Sequence, residues 1–165
     1  MLNTLAKYLF KWEIWGVLSG IVLILFLVLR KRTISKKDLI YKTARANSVP
    51  DRIAKYIVCQ AAHETATAGA PFTSGLAVGS NNYFGMKKPG RGNQIGYKSN
   101  GYCIYAKPED SVKDMIAWYY AKGGLLNWIT SVEQYAQFLK SNNYFEDTLE
   151  NYTTGLKYWY KYFYE

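Results

Sequence analysis

Glu64 is the residue whose type and spacing point most directly to chemistry. Ile53, Ile57, Ala61 and Glu64 follow one another at steps of four, four and three, and eleven residues at about 100° each return to within about 20° of the starting direction. The acid therefore continues the apolar stripe of a helix. A carboxyl group so placed faces the interior or a cleft, where desolvation raises its pKa and keeps it protonated for general acid work. The same spacing also fits a glutamate at a fraying helix end, paired with a lysine. His63-Glu64 is not a zinc-protease motif, because Thr67 stands where the second histidine would be. His63 is the only histidine, which excludes a two-imidazole zinc site, and neither a metal nor another cofactor is expected. It lies about 100° round the helix from Glu64, a usual place for a capping or core imidazole. Cys59, four residues earlier, could touch it, yet a cysteine nucleophile normally takes its base from another element. Cys59 and Cys103 read as buried thiols or as one bridge.

The elements that must position Glu64 are legible from caps and stripes. Ser35 and Asp38 have capping-box spacing, and Leu39, Ile40 and Thr43 begin a helical pattern. Pro50-Asp51 opens the helix that carries Glu64. Residues 73–87, rich in glycine and small polar groups, read as a loop that comes close to something; Asn81 and Asn82 there can bond the backbone or a ligand. Residues 94–105 alternate around Asn100-Gly101, a strong hairpin signal, with Ile95 and Tyr97 on one arm and Tyr102 and Ile104 on the other. Lys107-Pro108-Glu109-Asp110-Ser111 opens a helix facing Val112, Met115, Ile116 and Tyr119 inward and stopping at Gly123-Gly124. Ser131 with Gln134 caps another, bearing Val132, Tyr135 and Leu139. A last helix, near 146–164, has the stripe Leu149, Tyr152, Leu156, Trp159, Phe163.

At 165 residues, 49% hydrophobic and 20% charged, the chain is one domain plus whatever cannot belong to it, and disorder is excluded. Sixteen tyrosines and five tryptophans exceed what a core needs, and amphipathic rings suit sugar faces, membrane interfaces or protein contacts. The net charge of +9 is spread along the chain without a basic stripe or a known motif, so nucleic acid is not expected as a partner.

Residues 14–29 contain no charge, and at about 1.5 Å per residue they give about 24 Å of helix. With Leu9, Phe10 and Trp12 added, residues 9–29 approach the roughly 30 Å core of a bilayer. Trp12 and Trp15 fit an aromatic belt, and Arg30, Lys31 and Arg32 fit the headgroups beyond. Residues 29–32 offer no small-residue cleavage site, so a retained single-pass anchor is expected over 1–32 and a soluble domain over 33–165. The charge imbalance across the span places that domain in the cytoplasm.

Two segments together, Gln60-Ala61-Ala62-His63-Glu64-Thr65 and Ser80-Asn81-Asn82-Tyr83-Phe84-Gly85-Met86-Lys87, resemble the glucosaminidase family of peptidoglycan hydrolases in the lysozyme-like superfamily. Residues 105–111 and the stretch from Tyr135 through Tyr144 to Tyr152 are similar to later segments of that family, in the same order. The resemblance implies a mainly α (α+β), lysozyme-like helical domain with a small β-hairpin, here preceded by one transmembrane helix. It implies peptidoglycan glycan strands as partner, Glu64 as the acid that protonates the glycosidic oxygen, and Tyr144, or else Tyr152, as the family's site tyrosine. Asn81, Asn82, Tyr83, Phe84, Tyr102 and Tyr152 are then the candidate substrate contacts, with Asn82 fixing either the loop or an acetamido group. One departure stands out. Many members carry a second acid in the hairpin, whereas no Asp or Glu lies between Glu64 and Glu109; that interval holds Lys87, Lys88, Arg91, Lys98 and Lys107, which could attract stem-peptide carboxylates. A lytic transglycosylase and a catalytically silent wall-binding protein are the alternatives. The membrane expected is the bacterial inner membrane or the internal membrane of a phage virion.

Overall fold

Helix capping and amphipathic stripes account for most of the architecture. A computed structural model describes residues 34–123 and 128–165, and Ser35–Glu165 forms one compact unit. The apolar run expected to span a membrane lies outside the described residues; among those described, no helix is long and apolar enough to cross one. Helix α1 (Lys36–Ala46) starts where Ser35 Oγ accepts from the Asp38 backbone N–H at 3.1 Å, a bond whose loss costs about 1 kcal/mol in comparable caps. Helix α2 (Asp51–Thr65) follows Pro50 and buries Ile53, Ile57 and Ala61 completely. Within the stretch read as a loop, Ser74 Oγ accepts from Ala77 N and starts a short helix, α3 (Gly75–Ser80). That corrects the sequence reading. The small residues that suggest a loop also let a single turn pack with Ala77 and Ser80 buried.

Strands β1 (Gly96–Tyr97) and β2 (Cys103–Ile104) pair antiparallel, Gly96 opposite Ile104 and Tyr97 opposite Cys103. Gly101, at φ +84°, sits in the turn, where a side chain would be strained. Beyond the pair, Cys103 N donates to Met86 O at 2.9 Å and Tyr105 N to Ser80 O at 3.0 Å, so the second arm also braces the loop after α3. Helices α4 (Pro108–Ala121), α5 (Val132–Ser141) and α6 (Leu149–Tyr164) complete the chain. Val112, Met115, Ile116 and Tyr119 of α4 are all buried, as their spacing requires, as are Tyr135 and Leu139 of α5 and Tyr152, Leu156 and Trp159 of α6. Helix α2 packs against α1 and α6, α1 also packs against α4, and α5 packs against α6 while reaching α2 through Tyr135.

Candidate active site

Glu64 occupies the last turn of α2, where the buried stripe runs out into a cleft of about 460 Å³. Loss of hydration pushes its carboxyl above the usual carboxylate range, and the hydroxyl of Tyr152, donating to Oε1 at 2.6 Å, draws it partly back. Tyr152 has little freedom to do otherwise. Its ring stacks on Phe145 with centroids 3.7 Å apart and planes 3° apart, and meets the edge of His63 at 4.7 Å. His63 turns toward α6 rather than into the cleft. Burial lowers its pKa, against a smaller upward pull from Asp147, and the ring fills the space over Gly155, where a Cβ would come within 2.2 Å of its Cε1. Cys59 is buried with its thiol pushed up to about 12 by desolvation, which closes the route to a cysteine nucleophile; both cysteines are free.

Beneath the acid, one turn earlier on α2, the buried Gln60 accepts hydroxyl bonds from Tyr119 at 2.6 Å and Tyr135 at 2.7 Å through Oε1. Tyr144 donates to Phe84 O at 2.6 Å and sets its ring edge-on to Trp118 at 5.3 Å. Burial first, and the neighbouring Glu64 second, raise the pKa values of Tyr119, Tyr144 and Tyr152 well above that of free phenol, so the hydroxyls nearest the acid stay neutral donors.

The loop after α3 is held from within. Asn82 is fully buried, its Nδ2 donating to Met86 O at 2.9 Å and Cys103 O at 3.0 Å while Oδ1 accepts from Met86 N at 3.0 Å. Of the two roles open to it from the sequence, fixing the loop is the one its geometry satisfies, and no donor is left over for an acetamido group. Asn81, at φ +50°, ends α3 and donates to the carbonyls of Tyr105 and Ala106 at 3.1 and 3.2 Å. Tyr83 is 1% exposed and packs edge-on against Phe72. Phe84 and Tyr102 do line the cleft with Glu64 and Tyr144. Gly85 passes so close that a Cβ there would stand 4.0 Å from Glu64 Oε2.

Trp118 and Asn143 also line the cleft without having been singled out from the sequence, and Arg91, named there only among the interval's cations, lines it with them. Trp118 lies three residues after Met115, on the edge of the inward face, and that offset is its only local signal. Asp114 was also missed. It is fully buried and gathers Arg91 N at 3.0 Å, Asn93 Nδ2 at 3.0 Å and the Tyr105 hydroxyl at 2.8 Å. Its signal is an acid placed three residues after the buried Ser111 and four before Trp118, within the inward stripe. Among the described residues, Glu64 is the only carboxylic acid lining the cleft, and no His, Cys, Asp and Glu cluster could hold a metal ion.

A mainly helical unit with a short antiparallel hairpin and one desolvated acid in a cleft is consistent with a lysozyme-like fold. The chain belongs to the glucosaminidase family, described as mannosyl-glycoprotein endo-beta-N-acetylglucosaminidase, whose pattern matches residues 38–165. Membership makes it an enzyme, a glycosidase acting on peptidoglycan. No curated protein and no solved structure gives a significant match.

Proposed function

We propose that the chain cleaves β-1,4 bonds of the wall glycan as an endo-β-N-acetylglucosaminidase, with Glu64 as general acid. The observation that carries this is the Glu64 carboxyl itself, desolvated at the cleft and bonded by the Tyr152 hydroxyl at 2.6 Å. A protonated carboxyl can pass its proton to the glycosidic oxygen as the bond to the anomeric carbon breaks. A two-carboxylate glycosidase would need a second acid opposite the first. With Glu64 the one carboxylic acid lining the cleft among the described residues, the electron pair that replaces the leaving oxygen comes from the substrate: the 2-acetamido oxygen attacks the anomeric carbon, and water then opens the product. In this reading Tyr144, which lines the cleft with Glu64 and Phe84, orients that acetamido group or faces the positive charge at the reacting centre.

The single acid also supports a second reading. In a lytic transglycosylase the muramoyl 6-hydroxyl is the nucleophile, and the product is a 1,6-anhydro sugar. Mass spectrometry of borohydride-treated digests separates the two, since reducible N-acetylglucosamine ends support the glucosaminidase and non-reducible anhydromuramoyl ends support the transglycosylase. Glu64→Gln keeps the shape and loses the proton, so lysis should fall about a hundredfold or more. Retention of more than about a tenth of the activity would refute Glu64 as the general acid. Glu109, a first-turn acid of α4, serves as the control, and Glu109→Gln should cost little. In the same proposal residues 9–29 hold the domain at a bilayer, either the bacterial inner membrane or the internal membrane of a phage virion. The cytoplasmic orientation suits a virion enzyme that meets its wall in the next cell, and protease protection in spheroplasts tests it.

A further inference from the structure

We infer that the cationic rim of the cleft is a carboxylate-recognition subsite, by which the enzyme takes hold of acidic groups on the muramoyl residues of its substrate as well as of sugar faces. This rests on the functional reading above and names a further determinant of its specificity. Lys87, Lys88 and Arg91 are exposed and line the same cleft as Glu64. Among the described residues, the lysines paired with carboxylates are Lys55, Lys113 and Lys157, none of them a residue of this rim. The two rim lysines have aromatic partners instead. Lys87 Nζ stands 4.8 Å over the Tyr102 ring and Lys88 Nζ 4.7 Å over the Tyr97 ring. A ring face orients an ammonium group without cancelling its charge.

The backbone beneath these side chains is tied on both sides. Lys88 N donates to Gly101 O of the hairpin turn at 3.1 Å, and Lys87 bridges to Tyr102. Three residues on, the buried Asp114 carboxylate of α4 holds Arg91 N and Asn93. The result is an arc of positive charge on a braced backbone, along a cleft in which Glu64 is the only acid among the described residues, and low-dielectric walls focus such a field on whatever enters. Neutral sugars have no use for it. Each muramoyl residue, however, carries a lactyl arm that ends either in a free carboxylate or in an amide-linked peptide with carboxylates of its own. The shared chemistry is the carboxylate, and the two sources can be told apart.

The test uses the full chain with Glu64→Gln, so that binding is read without cleavage. Sedimentation with intact sacculi is compared with sedimentation with sacculi whose carboxylates have been converted to amides by carbodiimide and ammonia. Intact material should bind about tenfold more tightly, and adding Lys88→Ala and Arg91→Ala should remove that preference while leaving binding to amidated sacculi unchanged. Peptide-free glycan strands, which bear only lactyl carboxylates, then compete against peptide-bearing strands: equal competition assigns the lactyl group, and weaker competition assigns the peptide. Equal binding to intact and amidated sacculi, binding to neither, or the same loss on both materials in the double variant would overturn the subsite. A chain that prefers intact sacculi but whose unsubstituted form releases no glycan fragments would overturn the catalytic reading alone.

Discussion

Alanine at position 155 probes how closely α2 and α6 must approach for Tyr152 to reach Glu64. The new Cβ would lie 2.2 Å from Cε1 and 2.4 Å from Nδ1 of His63, whereas carbon atoms settle about 3.5–4.0 Å apart. Ring or helix must therefore yield by more than about 1 Å. Overpacking of this kind costs about 1–3 kcal/mol, and the helix propensity of alanine over glycine offsets about 1 kcal/mol of it. Gly155→Ala should destabilise the chain by about 1 kcal/mol on balance. With His63→Ala already in place the collision has no partner, and the same change should stabilise by about 1 kcal/mol. Urea unfolding of the parent, both single variants and the double variant closes the cycle, with an expected coupling of about 2 kcal/mol. Because Tyr152 lies one turn before Gly155 on α6, the single variant should also lyse sacculi less well than its folded fraction accounts for. A stabilising Gly155→Ala in both backgrounds would show that the His63 contact carries no energy, and the account of this helix pair would fall with it.

Tyr152→Phe removes the hydroxyl that favours the charged form of Glu64, so the alkaline limb of the pH–lysis profile should move to higher pH; a shift the other way contradicts the assignment. Glu64→Gln should also change the pH dependence of stability. Burial raises the folded pKa of Glu64, so the stability tied to its proton is complete below the unfolded value of about 4.3 and is lost as pH rises through the folded one. The variant should thus melt above the parent at neutral pH and match it near pH 4, and equal melting at neutral pH would refute the linkage. Asp114→Asn puts an amide where backbone and phenol donors converge and should cost about 2–4 kcal/mol in urea unfolding. A cost below about 1 kcal/mol would mean that the loop is held elsewhere.

Local physics explains which parts could be read from the chain. Caps at Ser35 and Ser131 and the inward stripes of α2, α4 and α6 are set by neighbours three or four residues away, and they stand where spacing puts them. Glu64 was visible for the same reason, as the polar end of an apolar stripe. By spacing alone Tyr152 was visible only as a core residue, and the family resemblance offered it for the site only as second choice to Tyr144. Periodicity gives the face of a helix, and the bond that matters joins it to an acid 88 residues away. Asn82 posed the converse problem, since its side chain suits a ligand as well as a turn, and only the positions of Met86 and Cys103 decide that its amide is already taken. Asp114 was hidden because an acid on a helix ordinarily faces water, and the groups that compensate it belong to a loop some twenty residues earlier.

The tyrosines around Glu64 have one more consequence. What sets the proton affinity of this acid is burial and the dipole of a neutral hydroxyl, with no formal charge among its causes. A neighbouring lysine or carboxylate would make that affinity drift with the counterions crowding a charged polymer, because mobile ions screen charges over about 10 Å at 0.1 M salt. Dipoles fixed by packing, next to a group already stripped of water, leave little for those ions to screen. The two causes that set this acid's proton affinity are thus ones that mobile ions screen little, whereas the lysines and arginine of the rim stay open to them.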